Sequence, residues 1–588
     1  MIEVERLRNT KINMKSREIR QCFLDFFRER GHAIVSSSSL VSGDPSVLLT
    51  TAGMQQFKRY YTRELSAESD FGLLNVATVQ KCFRTSDIDE VGDETHNTFF
   101  EMLGNFSFGG YFKREAIEYA YQFMTKEMNL RIDYVTCFEG DENISKDTEA
   151  EGIWKEIKER EGESFEIRFY GREDNFWGPT GKTGPCGPTT EIYVKGVEIW
   201  NVVFNEFYKT ESSEYLPIED KGGLKGIDTG MGLERLLIMK QGVNNIFETD
   251  LFKEMMSILP SVLILSQKRI ICDHIRGAVF LISDGVRPSN KETGYVLRRL
   301  LRRIIFYTRD LDKNLLNSLI DIIYNIYHDF YEIEVGKAKE IITLEREKFE
   351  QTLSLGINEL NKLEVIDAKK AFYLYESFGL PFEIIKEVSG NKADGLVLEE
   401  FEKLFEEHRD KSRLGVEKKF GGHGLILDTG EMKAGNQEEL AKVLRLHTAT
   451  HILQYALRKV LGNTVNQMGS DITPARARFD FSFERKLTDE EIILVEKYAK
   501  ELIEKNLPVK YEKMKKSEAE KTGALRLFSN KYPEEVKVYY IGDSIETAYS
   551  KEFCGGPHVE QTSEIGKIII KKQEAVGSGV RRIKIVVE

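Results

Sequence analysis

Two short motifs far apart in the chain, His447-x-x-x-His451 and Cys554-x-x-x-His558, constrain the fold more than any other feature. The histidines stand at i and i+4 in RLHTATHILQYALRKVL (445–461), where apolar spacing predicts a helix. Both imidazoles therefore leave one helix face. Cys554 and His558 flank Gly555, Gly556 and Pro557, a turn tight enough to fold two ligands toward one point. One thiolate and three imidazoles suit tetrahedral zinc. If the four meet, the chain between them must fold back on itself as one domain. Spacing alone leaves open whether such a site is structural or catalytic, or whether these are unrelated core and surface residues. Thr450, between the histidines, and Gln467 can line a small polar pocket, or simply make caps and surface hydrogen bonds.

A chain of 588 residues exceeds what one hydrophobic core supports, so several domains are expected. Residues 16–30 read as an amphipathic helix, with Ile19, Cys22, Phe23, Phe26 and Phe27 at helical spacing, Ser16 as its cap and Gly31 as its end. From 34 to 250 short apolar runs alternate with glycine-rich turns, and EIWNVVFNEFY (198–208) reads as buried strand. Residues 1–254 are thus expected to form a mixed α+β domain on an antiparallel sheet. Long charged-apolar segments at 315–330 and 337–355 predict a helical domain over 255–412. Glycine and charge dominate 413–440, a predicted linker. A second α+β unit follows at 441–588, where Phe479, Phe481 and Phe483 alternate as a half-buried strand requires, as do Val536, Val538 and Tyr540. The fold class is α+β, multidomain.

Several function classes are excluded. There is no apolar run of about 18 residues to span a membrane, and MIEVERLRNTKINMK lacks the apolar stretch of a secretion signal. Six scattered cysteines without knuckle or redox spacing argue against disulfides and for a cytoplasmic protein. A net charge of -12 is wrong for a nonspecific nucleic-acid coat, yet it permits a folded RNA partner at a local basic stripe. YVLRRLLRRIIF (295–306) offers one: Arg298/Arg302 and Arg299/Arg303 are i, i+4 pairs, forming a basic face or an ordinary salt-bridged one. GPTGKTGPCGP (178–188) imitates a phosphate loop, but Phe176 stands where its first glycine is required.

Three further blocks carry chemistry. They are SGDPSVLLTTAGMQQFK (42–58), VQKCFRTSDIDEVGDETHNTFFEMLGNFSFGGYF (79–112) and KGIDTGMGLERLLIM (225–239). The second ends a strand on Arg84, and the third opens a helix with Glu234 and Arg235. Permanently charged guanidinium groups at such places clamp phosphates. In this order the blocks resemble motifs 1, 2 and 3 of the class II aminoacyl-tRNA synthetases, and specifically the alanine–tRNA ligase family. TFFEMLGNFSFG, EIWNVVF, DTGMGLER, DHIRGAVFLISDG, HTATH and CGGPHV all fall in family order, and the likeness runs from about Met14 to the end.

The resemblance implies an antiparallel catalytic sheet, a helical tRNA-recognition domain and a zinc-containing editing domain. It implies alanine, ATP with Mg²⁺, and tRNA(Ala) as partners. By the same likeness Arg84 bridges the alanine carboxylate and the α-phosphate, Arg235 holds the γ-phosphate, and His96 sits near the phosphates. Phe99 or Phe100 stacks on adenine. Trp177, Asn201, Val203, Asp228 and Gly230 form the alanine pocket, with Asp228 on the ammonium. Asn290 and Glu376 contact the acceptor stem beside the four arginines, Thr450 and Gln467 face a mischarged amino acid, and His447, His451, Cys554 and His558 bind Zn²⁺. Editing is expected because a pocket fitted to alanine separates it from glycine by only about 1–3 kcal/mol and rejects serine poorly. The motif 2 loop is shorter than the family's, 413–440 is too short for its usual barrel, and the chain stops at SGVRRIKIVVE, before the usual dimerising domain. A monomer is therefore expected.

Overall fold

A computed structural model describes residues 13–44, 47–179, 181–404, 437–525, 535–577 and 579–588. The linker predicted at 413–440 lies outside them up to 436. The chain divides into two compact units, Met1–Ile366 with Tyr373–Gly395, and Asp367–Phe372 with Leu396–Glu588. Among the described residues no helix is long and apolar enough to cross a membrane, and no disulfide joins any two of the six cysteines.

The first unit is built on one large sheet. Its order is Ala33–Ile34, Asn75–Phe83, Phe99–Phe108, Gly226–Gly232, Val197–Asn205, Gly184–Val194, Tyr134–Phe138 and Glu166–Tyr170. The six central strands pair antiparallel, and only the outermost pairs are parallel. Gly184–Val194 runs through the end of the segment that imitated a phosphate loop.

Strand alternation decides which side chains are core. On one face Glu101, Leu103, Trp200 and Val202 are buried. The helix Ser16–Arg28 packs there through Phe23, whose ring lies 6.0 Å from that of Trp200. Ser16 does not cap this helix; Lys15 occupies that position. The Ser16 amide and hydroxyl instead donate to Asp250 Oδ2, both at 2.9 Å, so a distant carboxylate satisfies the open amide that a local cap would otherwise take.

Helices Leu265–Ser283, Glu292–Thr308, Leu315–Tyr327 and Val335–Lys362 belong to the same unit. Phe280 lies flat on Phe99 at 4.1 Å. Arg276, wholly buried, bonds Glu234 at 3.1 Å and the Tyr327 hydroxyl at 3.1 Å.

The second unit holds two small antiparallel sheets. One is Gln467–Thr473, Arg476–Ser482, Val580–Val587, Ile568–Gly577; the other is Val509–Lys515, Glu535–Ile541, Ser550–Phe553. Helix Gln437–Leu461 packs on Phe479, Phe481, Ile583 and Ile585 through Leu446, Ala449, Ile452 and Leu453, all but buried. Its opposite stripe is thereby free to carry polar ligands.

Candidate functional site

In the first unit the register gathers the predicted pocket on the sheet face away from Phe280. Asp228 lies opposite Val203 and Gly230 opposite Asn201. Asp228 also lies opposite Phe106, and Gly232 opposite Met102. Met102 faces Gln80, and Phe100 faces Cys82. Residues directly opposite in a ladder share a face, as do i and i+2. Asn201, Val203, Asp228, Gly230, Met102 and Phe100 are therefore on one surface. Trp177 joins it through the short pairing of Phe176–Trp177 with Gly187 and Pro188.

The same parity separates the two adenine candidates. Phe99 is fully buried beneath Phe280, so its ring is unavailable to a base. Phe100 is half-buried, and the exposed Arg84 guanidinium lies 4.8 Å above it. That pair offers a flat π-surface beside a fixed cation.

Asp228 is the most telling side chain. It is 6 % exposed, no side-chain hydrogen bond reaches it among the described residues, and burial pushes its carboxyl up to about 7. A buried carboxylate is costly until a cation meets it. Opposite, Asn201 Nδ2 donates to Glu191 Oε1 at 2.9 Å while Asn201 Oδ1 is buried without a partner. Gly230 is tight, since a Cβ there would lie 2.9 Å from Met102 Sδ.

Arg235, in the first turn of Leu233–Gln241, is half exposed and donates to Glu198 Oε2 at 2.9 Å. Glu191 was not singled out from the sequence. It is held up to about 7 by burial and then by the charge of Glu198. A lone acid inside the apolar strand TTEIYV was the available signal. His96 is partly exposed between Asp93 Oδ2 at 2.6 Å and Glu90 Oε2 at 2.8 Å, and the bond to Asp93 raises its pKa above the usual imidazole value.

Arg298, Arg299, Arg302 and Arg303 are each bonded within the unit. Arg298 bonds Asn290 Oδ1 and the Pro288 carbonyl, and Arg302 bonds Glu345 at 3.1 Å and the Gly379 carbonyl at 2.7 Å. Arg299 joins Asp89 and Glu383. Arg303, 3 % exposed, bonds the Ile88 carbonyl at 2.6 Å. Acidic and carbonyl acceptors from other elements meet this helix, which i, i+4 spacing cannot reveal. Asn290 and Glu376 are exposed.

In the second unit the four predicted ligands do meet. Their donor atoms all lie within 4.8 Å of one another. Cys554 Sγ is 3.3 Å from His447 Nε2 and 3.4 Å from His558 Nε2. Zinc bonded at about 2.0–2.3 Å holds tetrahedral ligands about 3.4–3.7 Å apart, close to the two Cys554 distances, so these four residues could hold a metal ion.

The surrounding bonds fix the imidazoles. His447 Nδ1 donates to the Pro557 carbonyl at 3.0 Å. The Thr448 hydroxyl donates to the Leu444 carbonyl at 3.0 Å and so accepts from His558 Nδ1 at 3.1 Å. Both Nε2 lone pairs are thereby turned inward. Burial holds His447 and His558 below the ordinary imidazole range, with neighbouring imidazoles adding to the effect on His558. Neutral rings are the form that binds metal.

Sequence reasoning missed Thr448, whose only signal was its place between the histidines. It also missed Glu552, buried, raised to about 8 by that burial, and 3.7 Å from His451 Nε2. The Thr450 hydroxyl donates to the His447 carbonyl at 2.7 Å. Gln467 is half-buried where its strand begins with a bulge.

The family model described as "tRNA synthetases class II (A)" matches residues 18–466, and the model of the "Threonyl and Alanyl tRNA synthetase second additional domain" matches residues 536–584. Together with the antiparallel sheet they define a class II aminoacyl-tRNA synthetase. The alanine–tRNA ligase of Borrelia hermsii is 39% identical, covering 97% of this chain and 99% of that one. That of Treponema denticola is 38% identical over 98% and 99%, and that of Rubrobacter xylanophilus 34% identical over 98% and 79%. The chain belongs to the alanine–tRNA ligase family.

Proposed function

We propose that this protein joins alanine to tRNA(Ala) through an alanyl-adenylate formed on the open face of the large sheet. The buried Asp228, which no side-chain hydrogen bond reaches among the described residues, carries the proposal, because a small cation entering the pocket stabilises its ionised form. The alanine ammonium is such a cation, and the orphaned Asn201 Oδ1 is a second acceptor for it. Val203 and Gly230, where a Cβ would lie 2.9 Å from Met102 Sδ, leave little room for added bulk beside Asp228.

The alanine carboxylate then points toward Arg84, with ATP stacked on Phe100 and its terminal phosphate on Arg235. In-line attack of a carboxylate oxygen on the α-phosphorus forms the acyl phosphate bond as pyrophosphate leaves. The protein supplies position and charge rather than a covalent nucleophile. Mg²⁺ accompanies ATP and offsets its phosphate charge. His96 stands at the phosphate end. The terminal ribose hydroxyl of the tRNA takes the alanyl group next, with Asn290 and Glu376 on the acceptor stem. Alanine-dependent exchange of pyrophosphate into ATP tests the proposal; its absence would refute it.

The second unit is proposed to hydrolyse seryl- and glycyl-tRNA(Ala). The observation behind this is the convergence of four zinc ligands with neutral, oriented imidazoles. Zinc held there would supply Lewis-acid polarisation. Thr450 and Gln467 would flank the amino acid. A Cys554→Ala variant is expected to charge alanine and to accumulate seryl-tRNA(Ala); no accumulation removes the editing role.

A further inference from the structure

The residues from Thr85 to Asn97 form a loop between the strand ending beside Arg84 and the strand carrying Phe100. Its base is closed by the Arg84 amide donating to the Thr98 carbonyl at 2.9 Å. Thr98 is fastened in turn, its amide and hydroxyl donating to Asp273 at 2.9 and 2.7 Å. Asp273 Oδ2 also accepts from His274 Nδ1 at 2.9 Å, and Arg303 donates to His274 Nε2 at 2.8 Å. The same Arg303 nitrogen reaches the Ile88 carbonyl, inside the short helical turn Ser86–Asp89.

Arg299, one helical turn earlier, ties the loop at Asp89, while Arg269 ties its far side, donating to the Gly92 carbonyl at 3.4 Å and to Glu94 Oε1 at 3.1 Å. Arg299 Nη2 donates to Asp89 Oδ1 at 2.5 Å and its Nε to Glu383 Oε1 at 2.5 Å. The side chain is only 14% exposed. A planar guanidinium bonded to two carboxylates on different elements fixes their mutual position. Nothing in the loop's own sequence, RTSDIDEVGDETHNTFF, is apolar enough to hold it, apart from Ile88 and Val91, which are buried.

We propose that Arg299 is a positioning residue for amino-acid activation: by holding Asp89 it fixes the loop after Arg84 and keeps the Arg84 guanidinium over Phe100. This rests on the assignment above of Arg84 to ATP and the alanine carboxylate. Arg299 does not touch substrate; it acts through the loop. A purely architectural Arg299 would serve only to tie Glu383, on Phe382–Ser389, to helix Glu292–Thr308. Asp89 and Glu383 also hydrogen-bond each other, and Arg299 Nη2 meets both, so the two arms are graded rather than independent.

The experiment measures alanine-dependent ATP–pyrophosphate exchange and thermal unfolding on the full chain. Asp89→Asn and Arg299→Lys are each expected to lower kcat/KM for ATP at least about tenfold, since misplacing a catalytic group by about 1 Å costs up to about a hundredfold. KM for alanine rises by less than the effect on ATP, because Arg84 meets the alanine carboxylate while Asp228 and Asn201, on other strands, still hold the ammonium. Glu383→Gln lowers the melting temperature and, because Glu383 also bonds Asp89, lowers kcat/KM for ATP by less than Asp89→Asn does. The double variant Asp89→Asn/Arg299→Lys loses little more than either single one, as coupled residues do. Exchange within about twofold of the unaltered protein in both single variants, with only the melting temperature changed, overturns the proposal. If Arg299→Lys does not fold, Asp89→Asn alone decides. Absence of exchange in the unaltered protein is a different failure, removing the Arg84 assignment and this proposal with it.

Discussion

Asp228→Asn gives the sharpest test, because it separates the folding cost of the pocket from its use. Burial lifts the carboxyl from 3.8 to about 7, which is a penalty of about 4 kcal/mol on the ionised form. The folded-state value is raised, so the empty protein binds the proton more tightly than the unfolded chain. Its penalty is absent below pH 3.8, grows as pH rises toward 7 and is then fully present. Asparagine keeps the shape and removes the charge. At pH 7.5 the empty variant should therefore be more stable than the unaltered protein, by about 2–4 kcal/mol after discounting local relaxation. The same change deletes the ion pair with the ammonium, a loss of about 2–5 kcal/mol for a buried partner, or about 30-fold or more in KM for alanine. Denaturant unfolding with and without alanine, beside pyrophosphate exchange at several alanine concentrations, measures both. In the unaltered protein KM for alanine should also rise as pH falls below about 7, as Asp228 takes up its proton. A variant that binds alanine normally, or is less stable when empty, would refute the reasoning.

Phe100→Ala should raise KM for ATP about tenfold with little loss of stability, whereas Phe99→Ala should cost about 3–5 kcal/mol of folding free energy as a core deletion; exchange kinetics and denaturant melts tell them apart. Gly230→Ala should depress kcat/KM for alanine more than for glycine, because the added methyl crowds Met102 and the alanine methyl together. Replacing Arg302 or Arg303 by Ala should lower the melting temperature without changing the salt dependence of tRNA binding, since each is bonded within the unit; a shallower salt slope would place them on the RNA surface. Removing zinc with a chelator, or Cys554→Ser, should lower metal content and deacylation of seryl-tRNA(Ala) while leaving alanine activation intact.

The local chemistry was legible where spacing alone carried it. His447 and His451 share a helix face by geometry, and Cys554 and His558 lie around one turn, so convergence followed once both sat in one domain. The alternation of Phe479 and Phe481 likewise predicted their burial. What escaped was long-range. Ser16 looks like a cap until Asp250 takes its amide, and the acidic partners of the arginine helix, Asp89, Glu345 and Glu383, arrive from elsewhere in the chain. Choosing between Phe99 and Phe100 required the strand register, which adjacent identical residues cannot disclose. Glu191 and Thr448 were invisible for a similar reason: each acts on a group that only tertiary structure brings beside it.

The parity of the Phe99–Phe108 strand has an evolutionary consequence. Toward the active end, Phe99, Glu101 and Leu103 answer to the helices, while Phe100 and Met102 answer to whatever occupies the pocket. Selection on substrate choice and selection on foldability therefore act on interleaved letters of the same short word. Substrate preference can drift at every second position while the alternate positions hold the domain together. A one-residue insertion in that strand, by contrast, would exchange the two sets and forfeit both at once.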